Sequence, residues 1–318
     1  MQTDLLYHGD NLHILRRYIP DECVDLLYAD PPFNSQTDYK NAFTDIWCWN
    51  AESEAAYAGV QKLHKPISIL LTAFRQTFGN SHKTAYLTMM TIRFLELHRV
   101  LKPAGSFYLH CDPTASHYLK VVLDAIFDEK NYQNEIVWGY KTGGTPQRNT
   151  AFARKHDIIH FYTKSGEPDA DVRANPQMQK SYVPTLPEPH TQSGKRLGVK
   201  RDELEKYRYV QMRDWWVDTG LIPEDDIRPL FRNNKERLGY PTQKPLKLLE
   251  RIITASSREG DIVLDAFCGS GTTLHAAQQL NRRWIGIDTA TPAIAITKAR
   301  LEDTFGISVK VVDRKSSA

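Results

Sequence analysis

Two apolar runs end in turns that no helix interior tolerates, and they frame what the chain can fold into. Val24-Asp25-Leu26-Leu27-Tyr28-Ala29 runs into Asp30-Pro31-Pro32-Phe33 near the N-terminus. Ile262-Val263-Leu264 runs into Asp265-Ala266-Phe267-Cys268-Gly269-Ser270-Gly271-Thr272-Thr273 near the C-terminus. Short apolar runs closed by proline or glycine read as buried strands ending at a sheet edge. Each turn therefore belongs at the end of a strand, where α/β proteins place their ligands. One site built from distant halves of the chain is the expectation.

The rest of the pattern supplies the other layers of such a fold. Leu5–His8, Ser106–His110, Glu135–Tyr140, Asp157–Tyr162 and Trp284–Asp288 read as further strands. Asn11–Tyr18, Met89–Val100, His117–Phe127, Lys244–Ser256, Thr273–Leu280 and Thr291–Phe305 carry helical spacing. Alternation of this kind predicts a sheet with helices on both faces. The tail from Ile307 to Asp313 is a candidate edge strand. Residues 37–83 show no clear periodicity and read as a long functional or mobile loop. Residues 165–240 are poor in apolar runs and rich in Pro, Arg, Lys and aromatics, which suggests a separate lobe or insertion. The expected division is thus 1–164, 165–240 and 241–318.

Composition narrows the class. At 318 residues and 41% hydrophobic content, the chain can bury one large core with a smaller appendage. It contains no apolar run long enough to span a membrane. Met-Gln-Thr-Asp at its start lacks the features of an export signal, so the cytoplasm is expected. Cys23, Cys48, Cys111 and Cys268 are scattered, which supports neither a disulfide framework nor a zinc site. His8, His110 and His117 likewise lack ligand spacing, and no metal is expected. A net charge of +3 permits a nucleic-acid partner without demanding one.

The glycine turn suits a nucleoside cofactor. Glycines at 269 and 271 let a ligand approach the main chain without a Cβ in the way. A phosphate-binding loop would need Lys where Thr272 stands, and a dinucleotide fingerprint would need glycine where Leu274 stands. Asp288, at the end of the following strand, lies at the spacing where a carboxylate meets ribose hydroxyls. Asp265 adds a second carboxylate, suited to an ammonium. A ribose and an ammonium without a lysine for phosphate describe S-adenosylmethionine. A plain tight turn is the alternative for the glycines taken alone.

The proline turn suits an amino group. Proline has no N–H, so Asp30 and the Pro31 carbonyl accept without competing donors. Together they can take both hydrogens of an exocyclic amino group and draw its lone pair onto nitrogen. Pro32 stiffens the turn, and Phe33 can stack on a base extruded from its helix. A simple strand-to-loop corner is the alternative for a lone Pro-Pro.

These motifs make the chain resemble the amino-methyltransferases of DNA, specifically the permuted β-class in which the catalytic motif precedes the cofactor motif. The resemblance runs through Gly9-Asp10-Asn11, Asp30-Pro31-Pro32-Phe33-Asn34, Arg99–Pro103, Gly105–Asp112, Asn134–Trp138, Tyr240–Pro245 and Asp265–Thr273. It implies a Rossmann-like, circularly permuted methyltransferase fold with a seven-stranded, mostly parallel sheet and one antiparallel strand. It also implies a target-recognition region at 165–240. By matching position, Asp10 and Asn11 would lie near the cofactor adenosine, and Thr242, Gln243 and Lys244 near its methionine end. The family's usual Asp-Pro-Phe in the cofactor turn is Asp-Ala-Phe here.

The family implies duplex DNA as partner, adenine N6 as acceptor and S-adenosylmethionine as methyl donor. Asp at the first position of the proline turn goes mostly with adenine, and Ser mostly with cytosine N4. Asn there goes with protein-glutamine or RNA methyltransferases. A catalytically silent DNA-binding protein of the same fold is a different class of answer. Candidate DNA contacts are Lys141, Arg148, Arg154, Lys195, Arg196, Lys200, Arg201, Arg208 and Arg213, partly interleaved with Tyr207 and Tyr209. A homodimer and a cognate restriction endonuclease are further expectations from the family.

Overall fold

The computed structural model describes residues 1–39, 42–63, 65–140, 154–165, 181–184, 207–210, 214–217, 227–230 and 234–314. The chain begins with β1 (Leu5–His8), α1 (Asn11–Tyr18) and β2 (Val24–Ala29). A hairpin of β3 (Thr37–Tyr39) and β4 (Phe43–Asp45) follows, then α2 (Ala51–Leu63), α3 (Lys65–Phe78) and α4 (His82–Val100). Next come β5 (Leu101–Cys111), α5 (Ser116–Phe127), β6 (Tyr132–Gly139) and β7 (His156–Thr163). Three short strands follow, β8 (Ser181–Pro184), β9 (Tyr207–Val210) and β10 (Trp215–Val217). The last part holds α6 (Leu246–Ser256), β11 (Ile262–Asp265), α7 (Thr272–Gln279), β12 (Arg283–Asp288), α8 (Thr291–Phe305) and β13 (Lys310–Asp313).

One sheet carries the molecule, in the order β10-β6-β7-β5-β2-β11-β12-β1-β13. The seven strands from β6 to β1 are the expected set, with β7 the lone antiparallel member between β5 and β6. β10 and β13 extend it by one strand at each edge. The proline-turn strand β2 pairs in parallel with the glycine-turn strand β11, although they lie far apart in sequence. The alternation along each strand decides the layers. Leu27, Leu264 and Ile285 face α1, α4 and α5, while Leu26, Val263 and Trp284 face α6, α7 and α8.

Local chemistry sets the element ends. Asp10 caps α1 by accepting the His13 N–H at 3.0 Å, and Ser81 caps α4 by accepting from Thr84. Gly306 closes α8 in the left-handed conformation. Within residues 37–83 the expected loop is corrected, because that segment is mostly hairpin and helix. Val60 of α2 and Ile67 and Leu71 of α3 are buried against Met89 and Ile92 of α4. α2 buries only a narrow stripe and its period is faint, whereas Lys65–Phe78 carries a clear apolar face through Ile67, Leu70, Leu71 and Phe74 that the expected loop overlooked.

The expected separate lobe is partly tied to the sheet. Trp215–Val217 pairs with β6, and the Trp138 indole N–H donates to the Ile227 carbonyl at 2.9 Å. β8 and β9 form a hairpin of their own. Among the described residues no helix is long and apolar enough to cross a membrane, and no cluster of potential metal ligands occurs.

Candidate active site

Parallel pairing puts four carboxylates in a row at one edge of the sheet. Tyr28 of β2 is level with Asp265 of β11, Asp265 with Gly286 of β12, and Asp288 of β12 with His8 of β1. Asp30, Asp265, Asp288 and Asp10 thus follow one another across neighbouring strands, whose spacing is roughly 4.8 Å. A cleft of about 400 Å³ opens above them, within the range of roughly 300–1,000 Å³ common for ligand sites. Asp30, Pro31, Pro32, Phe33, Asp10, Asn11, Thr242, Gln243, Lys244, Asp265, Phe267, Gly269, Ser270, Thr272 and Asp288 all line it. Gly271 alone among the expected catalytic and cofactor residues does not.

Gly271 explains itself from behind the wall. It caps α7 with φ of +73°, and a Cβ there would sit 2.6 Å from the Thr297 side chain. Gly269, with φ of +49°, would bring a Cβ to 3.2 Å from the Tyr240 ring. The turn is therefore a cradle in which Gly269 keeps clear of the Tyr240 ring and Gly271 lets α7 start close against Thr297. Its polar groups are tied down locally. Asp265 accepts the Phe267 N–H at 3.0 Å and the Thr273 hydroxyl at 2.5 Å. Complete burial pushes its carboxyl up to about 7. Asp288 accepts the N–H groups of Gly269 and Ala290 at 2.9 and 2.8 Å, and burial raises its pKa too. Each carboxylate oxygen has lone pairs to spare for ribose hydroxyls. Arg300 donates to the Thr272 hydroxyl and to the Ser270 carbonyl, fixing the start of α7.

Arg93, on α4, is a residue that sequence reading passed over. Its guanidinium donates to Asp10 Oδ2 at 2.7 Å and to Asn11 Oδ1 at 2.8 Å. The Asn11 amide in turn donates to the Ala266 carbonyl at 2.8 Å. The first helix is thereby fastened to the glycine turn, with Arg93 itself in the cleft wall.

The proline turn is held differently. Asp30 Oδ2 accepts from the Lys244 ammonium at 2.7 Å, and that ammonium lies 5.0 Å over the Phe33 ring. Phe33 stacks on the buried His110 ring, with centroids 6.1 Å apart and planes 20° apart. His110 is part of a chain across four strands. The Tyr28 hydroxyl lies 2.9 Å from Nδ1, and Nε2 lies 3.0 Å from Asp157 Oδ2. The Tyr140 hydroxyl donates to Asp157 Oδ1 at 3.1 Å. Asp157 is pulled below the ordinary carboxylate range by His110 despite its burial. An ionised Asp157 makes Nε2 the donor, and the Tyr28 hydroxyl holds the ring from its other nitrogen. His110 therefore serves as a fixed platform under Phe33. Nothing in its spacing signals this; only strand pairing brings its partners together.

Beyond Phe33, Asp45 accepts the N–H groups of Asn34 and Ser35 and the Trp47 indole N–H, folding the hairpin against the turn. A second cleft of about 320 Å³ shares Phe33, Tyr240 and Lys244 with the first and adds Trp138, Tyr140, Asp157 and Arg237. The two clefts meet at Lys244 and Phe33. Aromatic faces, a carboxylate and a cation make this second space fit for a planar polar ring.

Of the candidate DNA contacts, Arg154 is exposed just ahead of β7. Arg208 lies in β9. Lys141, Arg148, Lys195, Arg196, Lys200, Arg201 and Arg213 lie outside the described residues.

Comparison with known proteins places this arrangement. A family model described as DNA methylase matches residues 24–299. The type II methyltransferase M.BamHI of Bacillus amyloliquefaciens is 29% identical over 304 residues, covering 95% of this chain and 58% of that protein. This chain thus spans somewhat over half the length of that relative. Among solved structures, the putative DNA modification methylase TTHA0409 of Thermus thermophilus, complexed with S-adenosyl-L-methionine, aligns with a TM-score of 0.55 at 20% identity. That alignment covers 98% of this chain and 99% of the other. The PvuII DNA methyltransferase, cytosine-N4-specific, aligns with a TM-score of 0.59 at 18% identity, over 95% of this chain and 87% of the other. At such identities the likeness is one of fold.

Proposed function

We propose that this chain, which belongs to the DNA methylase family, transfers a methyl group from S-adenosylmethionine to N6 of an adenine turned out of duplex DNA. The observation that carries this reading is the adjacency of the two turns. The Asp30 carboxylate, with Oδ1 unengaged among the described residues, stands one strand away from a glycine cradle in a shared cleft. The residues fit the cofactor. Asp288 and Asp10 offer acceptors for ribose hydroxyls, and Gly269 in the wall leaves room for the nucleoside. Phe267 and Ser270 complete that wall. Bound S-adenosylmethionine supplies an electrophilic methyl group.

The chain's own groups prepare the acceptor. Asp30 Oδ1 accepts one amino N–H and the Pro31 carbonyl the other, which draws the lone pair onto nitrogen. Phe33, backed by His110, holds the base plane. Holding nitrogen and methyl together in a dry cleft is worth several orders of magnitude in rate. The N–C bond would form as the sulfonium–methyl bond breaks, leaving the neutral thioether S-adenosylhomocysteine, and the cationic nitrogen would pass to the Asp30 carboxylate the proton already hydrogen-bonded to it. Aspartate rather than serine at the head of the turn supports adenine as the base. The basic stretches 141–155 and 195–213 would meet the phosphates, and 165–240 would read the target sequence.

The test is a transfer assay with radiolabelled S-adenosylmethionine and unmethylated duplex DNA, followed by digestion to nucleosides and chromatography. Label in N6-methyladenine is expected. Label in N4-methylcytosine would overturn the adenine assignment, and absence of label in any base would overturn methyl transfer to DNA.

A further inference from the structure

Lys244 links the two turns in a way that neither motif announces. Its main-chain carbonyl accepts the Thr272 hydroxyl at 3.2 Å, which anchors it to the first residue of α7. Its side chain turns away from α7 and crosses to the proline turn, where Nζ meets Asp30 Oδ2 at 2.7 Å above the Phe33 ring. The ammonium side chain is 9% exposed and the Asp30 side chain 16%. A buried ammonium without a carboxylate partner is costly, so this pair holds together once formed. An ammonium only donates, so Oδ2 serves as acceptor here and Oδ1 is the oxygen left over.

We infer that Lys244 is a positioning residue for the proposed transfer: it occupies Asp30 Oδ2 and thereby presents Oδ1, in a set orientation, to the target amino group. The inference rests on the function proposed above and assigns Lys244 to the acceptor rather than to the methionine end of the cofactor. The geometry favours that assignment, because both groups nearest the ammonium, the Asp30 carboxylate and the Phe33 face, belong to the proline turn. Asp157, the carboxylate that lines the second cleft, is already bonded to His110 and Tyr140. The same lysine stands where the two clefts join, so a change in the glycine turn would reach Asp30 through one side chain.

Lys244→Met, Lys244→Arg, Asp30→Asn and the Lys244→Met/Asp30→Asn double variant test this. Melting temperatures of the full chain measure the coupling of the pair without any methylation assay. The shifts of the two single variants are expected not to add in the double variant. In the transfer assay Lys244→Met is expected to lower kcat by about 100-fold, with the Kd for S-adenosylmethionine changed by no more than about threefold. Lys244→Arg, which keeps a cation donor, is expected to recover at least about a tenfold part of that loss. Additive melting shifts would overturn the inference whatever the activity. An unchanged kcat would overturn it too, and so would a weakened Kd for S-adenosylmethionine that accounts for the whole defect. A wild-type protein that transfers no methyl group would instead overturn the proposed function, whereas loss of coupling in an active enzyme overturns only the role of Lys244.

Discussion

The glycine turn and the proline turn sit on neighbouring strands, yet the aspartates that head them are held by opposite means. After β11 the carboxylate that heads the turn is satisfied from its own turn and helix, Asp265 by Phe267 and Thr273, while the backbone behind it is pinned by Asn11, Asp288, Thr297 and Arg300. After β2 the turn depends on distant partners. Asp30 is held by a lysine 214 residues away, and Phe33 rests on a histidine from β5. A site that must hold a whole ligand benefits from a cradle braced along its length. A site that must aim one oxygen at a reacting atom needs that one carboxylate locked, and here the lock comes from far along the chain.

That contrast can be broken from either side. The largest effect is expected at the proline turn, where Asp30→Ala should cut single-turnover methyl transfer by about a thousandfold or more, roughly 4 kcal/mol. Calorimetric binding of S-adenosylmethionine should be little changed. Near-normal transfer in this variant would remove Asp30 from the chemistry.

Gly271→Ala attacks the cradle instead. Its φ of +73° and the Thr297 contact at 2.6 Å are both incompatible with a methyl group. A destabilisation of about 3 kcal/mol is expected from backbone strain plus overpacking, measured by urea unfolding. A cost near zero would show the cradle to be far softer than its geometry implies.

Asp265 tests how closed that cradle is. Its carboxyl sits near 7 in the folded chain, against roughly 4 when unfolded. The folded state therefore keeps a proton that the unfolded state has released. The resulting stabilisation is full below pH 4 or so and is lost as pH rises through 7. The stability of the wild type relative to Asp265→Asn should fall by about 2 kcal/mol between pH 5 and pH 8. His160 and His275, both lowered to about 4 by burial, titrate alike in the two proteins and drop out of that difference. A flat difference would mean that Asp265 stays hydrated.

The smallest effect belongs to neither turn. Arg154→Ala should weaken DNA binding by less than about tenfold and reduce the salt slope of affinity by about one. An unchanged slope in a salt titration would take Arg154 off the DNA path.

Much of the frame was legible in the residues. Val24–Ala29 and Thr291–Phe305 run between the very residues that mark them in sequence, because alternation, caps and glycine are local signals. The helix Ala51–Leu63 was not legible, since it exposes most of its residues and buries a thin stripe, while Lys65–Phe78 carried a readable apolar face that went unread among the polar residues around it. Within the site, Asp30 and Gly269 announce themselves by turn chemistry. Arg93, His110, Asp157 and the Asp30 partnership of Lys244 do not, because each is defined by a partner brought in by strand pairing.

By itself the sequence determined the chemistry on offer: two turns, one made of acceptors and one made of space, each at the end of a buried strand. Tertiary structure decided that those strands are neighbours, that Asn11 reaches Ala266 across 255 positions, and that Lys244 chooses Asp30. Local signals act through a few residues of backbone geometry. The partner of a buried charge is selected only when the whole sheet has closed and water has left the cleft.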